Sequence, residues 1–133
     1  MDKTVQDTKK QIIDIIKQLD SFWIKKNYNA MSPYIADEVT IAIPNSTERI
    51  IGKENYINSF IQFDESAMVT LFQRDDPQVD IIEDIVVCLH PFYIEYTIAE
   101  KNYKESGKEI LIFRQQSGIW KVIWRNIDYS PSP

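Results

Sequence analysis

The stretch from Lys108 to Asp128 constrains the fold most: two runs of β-branched and aromatic residues flank the short polar break Gln115-Gln116-Ser117-Gly118. Such a break between two runs predicts two antiparallel strands joined by a tight turn. Strict alternation along the second strand sets Trp120, Val122, Trp124, Asn126 and Asp128 on one face. Ile119, Lys121, Ile123, Arg125 and Ile127 then fall on the other. Both faces are partly apolar, so each needs a cover: helices on one side and another sheet or a second subunit on the other.

The helices are expected to come first in the chain. Val5, Ile12, Ile13, Ile16, Leu19 and Trp23 recur at helical spacing up to about Lys26, with Ile15 and Phe22 widening the stripe. A short second helix is expected around Asn29 to Ile35, limited by Pro33. Val39 to Ile43 reads as a strand ended by Pro44-Asn45-Ser46, and Gly52-Lys53-Glu54 starts a third helix carrying Tyr56, Ile57, Phe60 and Ile61 on its apolar side. An acidic loop containing Pro77 is expected next, then strand from Val79 to Glu83 and from Val86 to Ala99, and a turn over Lys101 to Gly107. In the strand from Val86, alternation groups Cys88, His90, Phe92, Ile94 and Tyr96 on one face. Pro91 marks an edge or bulge beyond which the faces could exchange. Helices followed by antiparallel strands is the α+β order. One domain spanning residues 1–133 is expected, with a curved antiparallel sheet covered by about three helices and a hollow between them.

Charge and composition exclude several classes of function. A net charge of -5 repels a polyanion on average, and no basic patch offsets it, so nucleic acid is not an expected partner. No apolar run is long enough to cross a bilayer, and no membrane partner is expected. Met1-Asp2-Lys3-Thr4 leads directly into a polar amphipathic pattern, and the single Cys88 cannot form an internal disulfide, so the expected location is cytoplasmic. With one histidine and one cysteine no transition-metal site is expected, and the three glycines form no phosphate-cradling loop, so no cofactor is expected either. The acidic residues Asp75, Asp76, Asp80, Glu83 and Asp84 lack the turn glycine of a calcium loop and read as solvated.

Four pieces in this order carry a family resemblance: the long first helix ending in Phe22-Trp23, the passage Tyr34-Ile35-Ala36-Asp37-Glu38-Val39-Thr40, the helix start Ile51-Gly52-Lys53-Glu54, and the hairpin Ser117-Gly118-Ile119-Trp120-Lys121-Val122-Ile123. Together they resemble the nuclear transport factor 2-like superfamily, in particular the SnoaL-like branch that also contains ketosteroid isomerases. The resemblance covers nearly the whole chain. It implies a cone-shaped sheet around a pocket closed by helices, often dimerising through the outer sheet face. It also implies three isomerase positions: a carboxylate base that falls at Ile43, an oxyanion tyrosine near Leu19, and a partner acid near Ile110 or Leu111. All are apolar in this chain, which argues against steroid isomerisation by that mechanism.

His90, the single histidine, shares a face with Phe92 and Tyr96 and is the natural candidate for a general base. The plain alternative is a satisfied structural histidine. Trp23, Phe60, Tyr96 and Trp124 are candidates for an aromatic wall gripping a flat apolar ligand, though core packing explains the same residues. Asn126 and Asp128, on the face of Trp120 and Trp124, are candidates for polar ligand contacts; the alternative for Asp128 is a wet position at the sheet rim. The expected function is binding of a small apolar organic molecule by a homodimer, extended in its sharper form to a cofactor-free isomerase, cyclase or hydratase. A non-catalytic protein-interaction or dimerisation module is the alternative.

Overall fold

The structure, a computed structural model, describes residues 3–130. Helix α1 (Lys3–Ile24) buries Ile12, Ile15, Ile16 and Leu19. It ends where Lys26 turns left-handed and the Asn27 N–H reaches back to the Phe22 carbonyl at 2.8 Å, a closure that satisfies an otherwise orphaned helix carbonyl. A 3₁₀ helix (Tyr28–Tyr34) follows, then β1 (Ile35–Ala42), β2 (Arg49–Ile51) and α2 (Lys53–Ser66). The remaining chain is strand: β3 (Met68–Arg74), β4 (Gln78–Ile82), β5 (Ile85–Ile98), β6 (Lys101–Gln116) and β7 (Ile119–Tyr129).

The seven strands form one sheet in the order β2-β1-β7-β6-β5-β3, with β4 also paired to β5. The fold is α+β with its helices ahead of most of the sheet, as the sequence order implies. All pairings are antiparallel except β1 with β7, which is parallel. The hairpin is β6–β7, turning at Ser117-Gly118, where both residues have positive φ.

Three local features depart from the period-two reading. The segment Lys101 to Gly107 is strand, because the β5–β6 turn is made by Ala99-Glu100 at φ 49 and 70 with no glycine to mark it. Strand β3 occupies what reads as loop; Thr70 is an extra residue between the pairs Val69–Tyr96 and Leu71–Glu95 and breaks its alternation. In β7 the pairs Phe113–Val122 and Ile112–Trp124 leave Ile123 as an extra residue, so every side chain beyond it exchanges face.

Pro91, by contrast, interrupts nothing in the β5–β6 register, which runs unbroken from Ile85–Arg114 to Ile98–Lys101. Its carbonyl accepts from the Asp75 N–H at 3.1 Å, so the missing proline N–H faces the break between β3 and β4. Gly107 marks a close approach of β6 to β7, since a Cβ there would lie 2.3 Å from the Asp128 carbonyl oxygen.

One end of the concave face is filled solid. Ile12 of α1, Val39 of β1, Val86 and Cys88 of β5, Phe113 of β6 and Val122 of β7 are completely buried there. Toward the other end the same strands carry Phe92, Ile94, Leu111, Arg125 and Ile127 around open space.

Candidate functional site

That open space is a cavity of about 240 Å³ between α1, α2 and the concave sheet. A volume of this order suits a one- or two-ring organic molecule. Its walls are largely aromatic. Trp23 meets Phe72 edge-on at 5.2 Å and Phe60 at 6.0 Å, and Phe63 meets Tyr96 edge-on at 5.2 Å. The rings are pinned by polar handles at their rims. The Trp23 indole N–H donates to Asp64 at 3.1 Å, and the Tyr28 hydroxyl donates to the same carboxylate. The Tyr96 hydroxyl donates to Glu105.

The floor is polar and draws one residue from each of five elements. Arg74 of β3 grips Asp20 of α1 with a two-pronged pair, Nε to Oδ2 and Nη2 to Oδ1, each 2.8 Å. Its Nη1 donates to Glu109 Oε1 at 2.8 Å and approaches His90 Nδ1 of β5 at 2.7 Å. His90 Nε2 lies 3.2 Å from Glu109 Oε1, and Arg125 Nε of β7 donates to Glu109 Oε2 at 2.6 Å. Arg74 Nη1 also lies 3.0 Å from His90 Nε2, so both ring nitrogens are engaged within the floor.

Burial alone would push the Glu109 carboxyl up, but Arg125, His90 and Arg74 outweigh it and hold the group well below the usual carboxylate range. For Asp20 burial wins over Arg74, and its carboxyl is raised. Burial also raises the Tyr56 hydroxyl.

Arg125 is the least satisfied member. Its Nε is spent on Glu109, and among the described residues no acceptor meets either Nη. The Tyr56 hydroxyl likewise donates to no described residue. Since no buried side-chain nitrogen or oxygen lacks a partner among those residues, these atoms face open space, and the cavity that both residues line supplies it. The Arg125 guanidinium also lies over the Phe60 ring, 4.9 Å from its centroid, within cation–π range.

The residues singled out from sequence divide cleanly. Trp23, Phe60 and Tyr96 stand on the cavity wall. His90 is fully buried behind Arg74 and Glu109 and is not part of the wall. Trp124, Asn126 and Asp128 lie on the opposite face of the sheet, because the extra Ile123 sends Arg125 and Ile127 inward in their place. There Trp124 packs under the Arg49 guanidinium at 4.8 Å, Asn126 is half-buried and Asp128 is exposed. Of the three positions implied by the isomerase resemblance, Leu19 and Leu111 line the cavity and Ile43 lies beyond the end of β1.

Asp20, Arg74, Glu109 and Arg125 were not among the site candidates that the sequence offers. Asp20 had a legible signal: three residues before Trp23 and four after Ile16, it sits on the apolar stripe of α1. Glu109 alternates with Leu111 and Phe113 and was legible in the same way. The irregularities at Thr70 and Ile123 hid Arg74 and Arg125. Among the described residues no group of histidine, cysteine, aspartate and glutamate is arranged to hold a metal ion.

No family model and no curated protein sequence matches the chain. Solved structures do. An NTF2-like protein from Cytophaga hutchinsonii superposes with a TM-score of 0.75 at 20% identity, over 98% of this chain and 100% of that one. The chain has the nuclear transport factor 2-like fold. A protein from Novosphingobium aromaticivorans provisionally described as a scytalone dehydratase matches with a TM-score of 0.83 at 10% identity, over 98% of this chain and 89% of that one. The S. rosetta CaMKII hub matches with a TM-score of 0.76 at 12% identity, over 91% and 95% respectively. The nuclear transport factor 2-like fold thus accommodates different roles, and the chemistry of this cavity has to be read from its own residues.

Proposed function

We propose that the cavity binds a small, uncharged, mostly apolar ring compound carrying one hydrogen-bond acceptor, such as a carbonyl oxygen, that docks on Arg125. The Nη groups of Arg125, which meet no acceptor among the described residues and lie beside Phe60 inside aromatic walls, carry this reading. The charge count selects an uncharged ligand. Asp20 and Glu109 balance Arg74 and Arg125, so a carboxylate ligand would leave an unmatched negative charge in a poorly solvated space. The sharper form is a cofactor-free isomerase, cyclase or hydratase, and the likeness to a protein provisionally described as a dehydratase supports it. His90 has no place on the cavity wall, which counts against it as the group that exchanges protons with a ligand.

Calorimetric titration with 2-tetralone, its hydrocarbon tetralin and the anion 2-naphthoate tests the reading. The ketone should bind about tenfold or more tightly than tetralin, since tetralin leaves the donors without an acceptor, and Arg125→Met should remove most of the difference. Tightest binding by naphthoate would refute the charge argument.

A second reading concerns the outer sheet face, where Val87, Ile112, Trp124, Thr40 and Ile51 form one cross-strand row on the side opposite the cavity. Ile51 is 61% exposed. We infer that a second copy covers this row, giving a homodimer; the hub-like structural neighbour favours such assembly. Light scattering at micromolar concentration should give twice the chain mass, and Trp124→Glu should give the chain mass alone. A wild-type monomer would remove the dimer. No described helix is long and apolar enough to cross a membrane, and with one buried, unpaired cysteine the cytoplasm is the proposed location.

A further inference from the structure

The two cavity carboxylates are not equivalent. Glu109 has both oxygens committed, Oε1 to Arg74 and His90 and Oε2 to Arg125, and its side chain is 6% exposed. Among the described residues Asp20 receives one hydrogen bond at each oxygen, both from Arg74, and its side chain is 25% exposed. Each oxygen therefore keeps a lone pair, and the group stands on the cavity wall. His90 has neither access nor a spare ring nitrogen. Across the same cavity stand donors that meet no acceptor among the described residues, the Arg125 Nη groups and the Tyr56 hydroxyl.

We propose that Asp20 is the proton-carrying residue of this cavity, with Arg74 as the positioning residue that fixes its carboxylate. The position that the family resemblance gives the base is Ile43, so this assignment moves the base from the end of the first strand to the first helix. The step is proton removal from a carbon beside the docked carbonyl. The C–H bond breaks and its proton passes to an Asp20 oxygen. The electron pair forms a carbon–carbon double bond, and the carbonyl π pair moves onto oxygen, where Arg125 and Tyr56 meet it. Return of the proton from Asp20 to the same carbon, or to another along a conjugated system, restores all charges without an oxidant or reductant.

Burial raises the Asp20 carboxyl and the nearby Glu109 charge adds to this, while Arg74 and His90 pull it down. Tyr56 from α2 faces it, and Arg125 from β7 lies beyond Glu109. The net direction moves it toward the working range of a base.

The inference rests on the binding reading, and the experiment separates the two. Wild-type protein, Asp20→Asn, Asp20→Glu and His90→Gln are each mixed with 2-tetralone in D₂O; proton NMR follows loss of the C1 hydrogens, and calorimetry follows binding. Wild type should accelerate exchange about a hundredfold or more over buffer. Asp20→Asn should lose that acceleration while binding the ketone within about threefold, Asp20→Glu should restore part of it, and His90→Gln should keep it within about tenfold. The wild-type rate should rise with pH through one ionisation above the ordinary aspartate value, absent from Asp20→Asn. Should Asp20→Asn fail to fold, that ionisation and the Asp20→Glu rate decide the matter. Binding without exchange, or undiminished exchange in Asp20→Asn, overturns the Asp20 assignment alone. No binding overturns the binding reading, and the assignment falls with it.

Discussion

Arg74→Met is expected to destabilise the protein by about 3–5 kcal/mol at neutral pH, the cost of removing one partner from a buried charge network. Arg74 is the shared cation of the floor: one guanidinium holds Asp20 with two prongs and Glu109 with a third, and its side chain is 14% exposed. Methionine fills most of the stem volume but leaves Asp20 with no cation within ion-pair distance among the described residues. Glu109 keeps Arg125 and His90, so its loss is smaller. Urea denaturation against pH gives the sign. The Glu109 carboxyl is depressed in the folded protein, so its stabilisation is present above the unfolded-state value and disappears as pH falls through the folded one. The variant has surrendered part of that stabilisation, and protonation relieves its stranded Asp20. The gap between wild type and variant should therefore narrow with falling pH. A gap below about 1 kcal/mol at neutral pH would mean that water already solvates the floor.

The fold was legible wherever one residue face stays on one side of the sheet or helix, and the site was not, because it is assembled where that regularity fails. Helix α1 keeps its stripe from Ile12 to Trp23, and β5 keeps Cys88, His90, Phe92, Ile94 and Tyr96 on one side through Pro91. Those two patterns place Trp23 and Tyr96 at the cavity. The β7 pattern fails at a single residue. With Ile123 counted as an ordinary pleat, Trp124, Asn126 and Asp128 point at the hollow; with Ile123 as an extra residue, Arg125, Ile127 and Tyr129 do. Nothing in Trp120-Lys121-Val122-Ile123-Trp124 distinguishes the two registers, because both faces there carry apolar side chains. The choice is made by tertiary partners: Glu109 and Leu111 on β6 belong to the cavity side, and Arg125 pairs in register with Leu111 beside Glu109. A charge whose partner lies on a neighbouring strand is invisible to periodicity. Arg74 illustrates the same limit, since its three partner residues come from α1, β5 and β6.

Replacing the whole floor at once should have the opposite effect on stability and the largest effect on binding. The variant Asp20→Leu, Arg74→Met, His90→Leu, Glu109→Leu, Arg125→Met removes every charged member together and leaves none stranded. Interior ion pairs exchanged for apolar side chains of similar volume are commonly neutral or stabilising by about 1–4 kcal/mol, because the desolvation cost of each charge vanishes with it. Urea denaturation should place this variant within about 2 kcal/mol of wild type or above it, although Arg74→Met alone is much weaker. Calorimetry should then show 2-tetralone losing most of its advantage over tetralin, since only the Tyr56 hydroxyl is left to meet the carbonyl. This contrast separates two reasons for keeping five polar groups under an aromatic cavity. If the network holds the fold together, its wholesale removal should cost more than Arg74→Met does, and the floor would be a structural knot. If the fold tolerates the removal and only carbonyl recognition is lost, the charges are retained for what they do to a ligand, at the expense of the stability an apolar floor would provide.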